Sequence, residues 1–170
     1  AWMKRHHPAA FLCAMLDAQP MGFYAPSTLI EDARRHGVVV LPIDVNCSAW
    51  RCSLERLAAG ELAVRVGMKY VSGLGQRERA HVERARGPYD SVETFVRSTV
   101  WSRKALVAVA EAGAFGSLCI DRREALWRVH GVASRLGLPL DADPEETDVS
   151  LPGLTPGEAV VWDYTASGHS

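Results

Sequence analysis

The sequence predicts a mainly helical α+β fold in which one small β element interrupts the helices. Apolar residues recur at helical spacing through most of the chain, and glycine or proline separates the segments. Only residues 38–66 are rich in β-branched runs. The 170 residues suit one domain or two small ones, and no apolar run approaches the ~18 residues of a membrane helix. We therefore expect a chain without a membrane partner.

Residues 1–37 form the first predicted region, which is helical. Pro8 fits the first position of a helix over residues 7–16, where its missing N–H costs nothing. Ser27 is a good N-cap for a second helix over residues 28–36, and Gly37 is placed to end it.

Residues 38–66 form the second region, a small β element. The run at residues 38–41 predicts a strand that Pro42 ends. Residues 52–54 and 62–66 predict two further short strands around a turn at residues 59–60.

Residues 67–137 form the third region, with helices predicted at 76–86, 92–98, 103–112 and 122–136. Residues 138–170 follow as an acidic linker with seven acids and no Lys or Arg. Residues 62–104, by contrast, hold nine Lys or Arg against four acids, a net charge of +5. A basic middle beside an acidic tail predicts a polyanionic partner for the middle, although such a stretch is often only a solvated surface.

The strongest motif is the glycine-rich turn around Gly73, Leu74 and Gly75, which predicts a tight hairpin between two helices. The helix after it would direct unpaired N–H groups and its positive dipole end towards a phosphate. Such a helix-hairpin-helix grips the nucleic-acid backbone without reading base sequence. The candidate contacts are Lys69, Gly73, Leu74, Gly75, Gln76, Arg77 and Arg79. A purely structural turn is the alternative, and a dinucleotide-binding loop is disfavoured because the third glycine is missing.

A second, degenerate hairpin is predicted at residues 99–106, which makes the helix-hairpin-helix tandem. Ser102 can cap the next helix, whose first turn holds Arg103 and Lys104. Positive charge at this end of a helix is unfavourable, because the helix dipole is positive there too, and a bound phosphate would offset the repulsion. The alternative is a basic pair that is merely exposed to solvent. Trp101 is the best-placed tryptophan for stacking on a base, although burial in the core is the commoner fate of Trp50, Trp101, Trp127 and Trp162.

No catalytic or metal site is predicted. The four cysteines form no CxxC pair and are interpreted as reduced structural thiols. Asp141 and Asp143 form a D-x-D string in the acidic linker without a strand around it, and His6 and His7 are adjacent and do not face one another on a helix.

Several strings resemble the error-prone branch of the bacterial alpha-subunit (C) family of DNA polymerases, nearly throughout the chain. They are MLDAQPMGFYAP at 15–26, DARRHGV at 32–38, LPIDVN at 41–46, VSGLG at 71–75, AEAGAF at 110–115, DRREALW at 121–127, LTPGE at 154–158 and DY at 163–164. Ser72 stands where the family usually has Lys, which removes one possible phosphate contact.

This resemblance implies a parent polymerase that acts in damage-induced mutagenesis, translesion synthesis and DNA repair in the cytoplasm. The chain would supply the end of the fingers (1–37) and the helix-hairpin-helix part, and its acidic tail would lead to an OB-type domain. The resemblance implies Mg²⁺ in the palm domain of the parent and no cofactor here. It implies primer-template DNA as partner, with accessory mutagenesis proteins and the sliding clamp reached through the parent. The replicative branch of the family and a helical protein-interaction module stay open as alternatives.

Overall fold

A computed structural model describes residues 2–21, 24–84, 87–99, 101–136, 157, 158 and 161. Its helices and strands begin and end mostly near the proline and glycine residues that separate the predicted segments. The helices are α1 (Trp2–His6), α2 (Pro8–Asp17), α3 (Pro26–Arg35), α4 (Gln76–Arg84), α5 (Val92–Ser98), α6 (Arg103–Glu111) and α7 (Arg122–Arg135). The strands are β1 (Val40–Leu41), β2 (Ser53–Arg56) and β3 (Leu62–Arg65). The predicted mainly helical α+β fold is confirmed. Among the helices of the described segments, none is both long and apolar enough to cross a membrane.

The N-terminal helices begin where proline permits. Pro8 lies at the start of α2 as predicted, whereas α3 begins at Pro26, with Ala25 as its N-cap. The predicted start at Thr28 with a Ser27 cap is therefore wrong. Proline has the φ of a helix and no N–H to satisfy, so the first turn extends back to it.

The chain leaves α3 through Gly37, as predicted. Its φ is +81°, and its N–H donates to the carbonyl of Arg34. The N–H of Val38 donates to the carbonyl of Ala33, which completes a Schellman motif. Val38 thus belongs to the helix end, and β1 is two residues long instead of the four that were predicted.

The three strands form one sheet in the order β1-β3-β2, with β1 parallel and β2 antiparallel to β3. The guanidinium of Arg65 crosses to Glu55 with N–O distances of 2.8 and 2.9 Å and also donates to the carbonyl of Pro42. This hydrogen-bonded pairing lowers the pKa of Glu55 and raises that of Arg65. One side chain of β3 therefore binds β2 and the residue that follows β1.

A single hydrophobic core cluster runs from Ala9 to Val132. α2 packs on β2 and β3, whereas α5 and α6 pack on α7. Phe115 is fully buried, and its ring meets that of Phe95 edge to face at 5.4 Å. The three predicted regions of the sequence thus share one core.

The β element is joined to the helical region by Asp44, a carboxylate that is only 4% exposed. Oδ1 accepts from the backbone N–H of Asn46 at 2.8 Å and of Cys47 at 3.2 Å. Oδ2 accepts from the N–H of Ser117, 73 positions along the chain, at 2.8 Å. Three N–H donors of this kind compensate a buried negative charge.

Asn46 extends this polar junction to the segment after α4. Its Nδ2 donates to the carbonyl of Tyr89 at 3.1 Å and to Oγ of Ser117 at 3.0 Å, and its Oδ1 accepts from the N–H of Tyr89 at 2.7 Å. The LPIDVN string therefore connects the sheet with the segment between α4 and α5 and with the segment between α6 and α7. This gives its Asp and Asn a structural role.

We predict that Asp44→Asn lowers the free energy of unfolding by about 3 kcal/mol. The carboxamide keeps one acceptor oxygen, so at least one of the N–H groups of Asn46, Cys47 and Ser117 would face an NH₂ group. Urea denaturation of the 170-residue chain measures the loss. Asp90→Asn is the matched control, because Asp90 is exposed, and it should change stability by less than about 0.5 kcal/mol. Equal stability of the two variants would contradict this role of Asp44.

Candidate nucleic-acid interface

The glycine-rich turn lies between a 3-10 turn, Met68–Tyr70, and α4. The N–H of Leu74 donates to the carbonyl of Val71 at 3.4 Å, and Gly73 has a φ of +91° in the third position of this turn. That position needs a positive φ in a type II turn, which glycine adopts without strain. Leu74 packs against the core. A full helix was predicted before the turn, but β3 ends at Arg65 and leaves room for one 3-10 turn.

The second glycine of the turn acts differently from the first. Gly73 has a positive φ, whereas the φ of Gly75 is not positive. A Cβ at Gly75 would lie 3.5 Å from Oε2 of Glu78, which is ordinary contact. Gly75 therefore adds no side chain at the N-terminal end of α4 (the entrance of α4), where the Glu78 carboxylate lies.

The first N–H at this entrance already has a partner. Gly75 donates to Oε2 of Glu78 at 2.9 Å, in the spacing of a capping box. The N–H groups of Gln76 and Arg77 have no hydrogen-bond partner in the part of the chain that the structure describes. The predicted outward-facing donors are thus present at these two residues, whereas the donor of Gly75 is engaged.

The basic side chains of α4 differ in availability. Arg77 is exposed and forms no ion pair within the described residues. Arg79 is held by Glu83 one turn later, with Nε 2.8 Å from Oε1. Arg77 is therefore readier than Arg79 to bind an anion at the start of α4, because Arg79 would have to leave its partner.

The second predicted hairpin has the helix cap expected of it. Oγ of Ser102 accepts from the N–H of Ala105 at 3.2 Å, and α6 begins at Arg103. The first turn of α6 contains no acid, and both Arg103 and Lys104 are exposed. Arg103 reaches Nδ1 of His130 at 3.0 Å. The positive end of α6 thus carries two further positive charges, a combination that attracts anions.

The two turns meet in space. A Cβ built on Gly73 would lie 3.8 Å from Cε of Lys104. The side chain of Lys104 therefore reaches the first turn at Gly73. The fold thus brings Lys104 to the turn that leads into α4, and Arg103 occupies the preceding position of α6.

Lys69, which the sequence also placed among the candidate contacts, is engaged elsewhere. Its Nζ donates to the carbonyls of Leu16 and Asp17 at 3.0 and 3.1 Å, at the end of α2. It also lies 5.3 Å from the centroid of the Tyr70 ring. This geometry favours a role for Lys69 in capping α2, and a phosphate contact by it stays a prediction.

Trp101 packs into the edge of the core. Its ring meets Phe95 edge to face at 5.3 Å and His81 at 5.9 Å. Its Nε1 and Nε2 of His81 are both buried and have no hydrogen-bond partner among the described residues. Both residues line a cavity of about 20 Å³ between the two hairpins. This packing agrees with the core alternative for Trp101 and leaves little of its face for a base.

Trp127, in contrast to Trp101, is exposed to solvent. It lies on α7 with 61% of its area exposed, so the expectation of burial is wrong for this residue. It precedes His130, the partner of Arg103, by three positions and shares a helix face with it. The sequence pattern did not separate Trp101 from Trp127, because both follow apolar neighbours.

We predict opposite consequences of removing these two tryptophans. Trp101→Ala should lower the free energy of unfolding by about 2 kcal/mol or more, since it leaves a cavity between the hairpins. Trp127→Ala should lower it by less than about 1 kcal/mol, since its ring is mostly in solvent. Thermal and urea unfolding of both variants measure the difference. A larger loss for Trp127→Ala would contradict the packing described.

No group of His, Cys, Asp and Glu side chains suited to a metal ion occurs within the described segments. Asp141 and Asp143 lie outside them. His6 and His7 both pack their rings on Trp2, at 4.7 and 5.6 Å. Burial raises the pKa of Cys52 to about 11, which keeps this thiol protonated and unreactive at neutral pH.

A protein-family model described as the helix-hairpin-helix motif matches residues 37–125, which contain both turns. The chain belongs to the helix-hairpin-helix motif family. Over its whole length the chain is also 47% identical to a segment of an error-prone DNA polymerase of Anaeromyxobacter sp. (strain K). This segment is 16% of that relative. Error-prone DNA polymerases of Alkalilimnicola ehrlichii (43% identical, 100% of the chain, 17% of the relative) and Ruegeria pomeroyi (44%, 98% and 16%) match similarly.

The chain thus spans about a sixth of the length of these curated relatives. Each of the three carries the name error-prone DNA polymerase, which confirms the resemblance found in the sequence. The identity extends over the acidic tail, residues 138–170, of which most lie outside the described residues.

Sequence reasoning missed Glu78 as a member of the site. The spacing of Gly75 and Glu78, three positions apart at a helix start, is the pattern that could have revealed it. It also treated LPIDVN only as a resemblance, because nothing local shows that Asp44 reaches Ser117.

Proposed function

We propose that this chain is the segment of an error-prone DNA polymerase that holds DNA by its phosphates, without reading base sequence. The observation that carries the proposal is the meeting of the two turns. Cε of Lys104 lies 3.8 Å from the Cβ position of Gly73, and this turn leads into α4, where the N–H groups of Gln76 and Arg77 have no partner among the described residues. Backbone donors, a helix dipole and mobile cations recognise a phosphate and carry no information about bases.

The phosphate contacts that we propose come mainly from groups that are not already bound within the chain. Gln76 and Arg77 would donate from the backbone at the start of α4, and the side chains of Arg77 and Lys104 would add charge. Arg103 would bind a neighbouring phosphate from the start of α6. Arg79 would contribute after release from Glu83. Gly73 and Gly75 keep this surface free of side chains that would hold the DNA backbone away.

The parent protein would be a DNA-directed DNA polymerase that acts in translesion synthesis, damage-induced mutagenesis and repair in the bacterial cytoplasm. The names of the relatives support this assignment, and they favour the error-prone over the replicative branch. The polymerase chemistry would use Mg²⁺ bound by a palm domain elsewhere in the parent. This chain alone should be inactive, and the sliding clamp and accessory mutagenesis proteins would act through the parent.

We predict that Arg77→Ala combined with Lys104→Ala weakens binding of a labelled primer-template by about tenfold or more at low salt. The slope of log K against log salt should become shallower by about 1.8, because two phosphate contacts at about 0.9 each are lost. Fluorescence anisotropy of the 170-residue chain across a salt series measures both quantities.

The matched control for this experiment combines Arg5→Ala with Arg51→Ala, which removes the same charge from exposed residues of α1 and the sheet region. The control should keep the wild-type salt slope. An equal loss of DNA affinity in both double variants would mean that the effect comes from net charge and not from contacts at the two turns. A folded wild-type chain that does not bind DNA at low salt would favour the protein-interaction module.

A further inference from the structure

The entrance of α4 already contains an anion that belongs to the protein. Oε2 of Glu78 accepts the N–H of Gly75 at 2.9 Å, and Gly75 precedes the first residue of the helix. We propose that Glu78 occupies the phosphate position of the first hairpin and thereby limits the affinity of this hairpin for DNA. The inference rests on the proposed function, because it assigns a regulator to the same site.

A carboxylate is a chemical substitute for a phosphate in this position. Both groups present oxygen acceptors with negative charge, and both are stabilised by the N–H groups and dipole at a helix start. The N–H of Gly75 cannot donate fully to both. A DNA phosphate that takes this donor must therefore displace the Glu78 side chain or bind beside a like charge.

Of the three other acids of the basic stretch, Asp90 lies in the segment between α4 and α5, and the other two are near cations. Glu83 is engaged by Arg79, and Glu93 lies 4.0 Å from Arg128 on α7. Glu78 forms no ion pair within the described segments, and its charge faces the entrance of α4. Its removal should strengthen the positive potential around Arg77 and Lys104 directly.

Binding at the first hairpin is accordingly an exchange of one anion for another. The free energy of the Gly75–Glu78 hydrogen bond is lost when the phosphate arrives and is recovered when it leaves. The second hairpin has no acid in the first turn of α6 and binds without such an exchange. A grip of this kind is weak and readily reversed, which suits a protein that moves along DNA.

The test compares Glu78→Gln and Glu78→Ala with the wild-type 170-residue chain in the anisotropy assay on primer-template DNA. Glu78→Gln removes the charge and keeps an acceptor for Gly75, whereas Glu78→Ala also frees the N–H. Both should bind about three- to tenfold more tightly at low salt, with Glu78→Ala at least equal to Glu78→Gln. The control is Glu61→Gln, which removes an exposed acid beside the turn between β2 and β3 and should leave affinity unchanged.

Thermal unfolding of each variant identifies any loss of folded chain. If both Glu78 variants bind as the wild type does, while Arg77→Ala/Lys104→Ala still weakens binding, Glu78 is only a helix cap and the inference alone is overturned. An equal gain in Glu61→Gln overturns it as well, because the effect is then one of net charge. Absence of binding by every folded chain overturns the proposed function and this inference together.

Discussion

The convergence of three N–H groups on the buried carboxylate of Asp44 fixes how the β element and the helical region sit relative to one another. Asp44 follows β1 by three residues, and its oxygens hold both its own loop and Ser117 after α6. Asn46 adds the segment after α4 through two hydrogen bonds to Tyr89. Because a buried charge is costly without such partners, this junction tolerates few alternative arrangements. The position of each hairpin relative to the other depends on it.

The junction matters because the site is made by two turns that are far apart in sequence. Gly73 and Lys104 are separated by 31 positions, yet the side chain of Lys104 reaches the surface of the first turn. The packing of α5 and α6 on α7, and of Phe95 on Trp101, keeps the second turn in place. The two helix starts differ in charge, since α6 presents two cations and α4 presents a cation together with Glu78. The start of α4 is thus occupied by the Glu78 carboxylate, whereas the first turn of α6 contains no acid.

Local patterns predicted the elements well. Pro8, Gly37 and Ser102 mark helix ends through backbone or capping geometry that depends on the residue itself, and α4 to α7 begin at the predicted residues. Errors arose where two local signals competed. Pro26 and Ser27 both suit a helix start, and Val38 suits both a strand and the end of a Schellman motif.

The basic residues of the candidate site could be predicted from the sequence, but their intramolecular hydrogen-bond and ion-pair partners could not. Sequence spacing identified Arg77 and Lys104, but only the fold shows that Lys69 caps α2 and that Arg79 is held by Glu83. Trp101 packs partly buried in the turn before α6, whereas the exposure of Trp127 depends on which face of α7 meets the core. Asp44 was beyond local reasoning, because its partner Ser117 is 73 positions away.

Amide chemical-shift mapping shows whether the two turns bind phosphates of the same DNA. A ¹⁵N-labelled chain would be titrated with a short primer-template at low salt. We expect the largest shifts to occur together at the amides of residues 73–77 and 102–104, while residues 57–61 of the β turn stay unchanged. Shifts confined to one turn, or centred on the sheet or on α1, would contradict it.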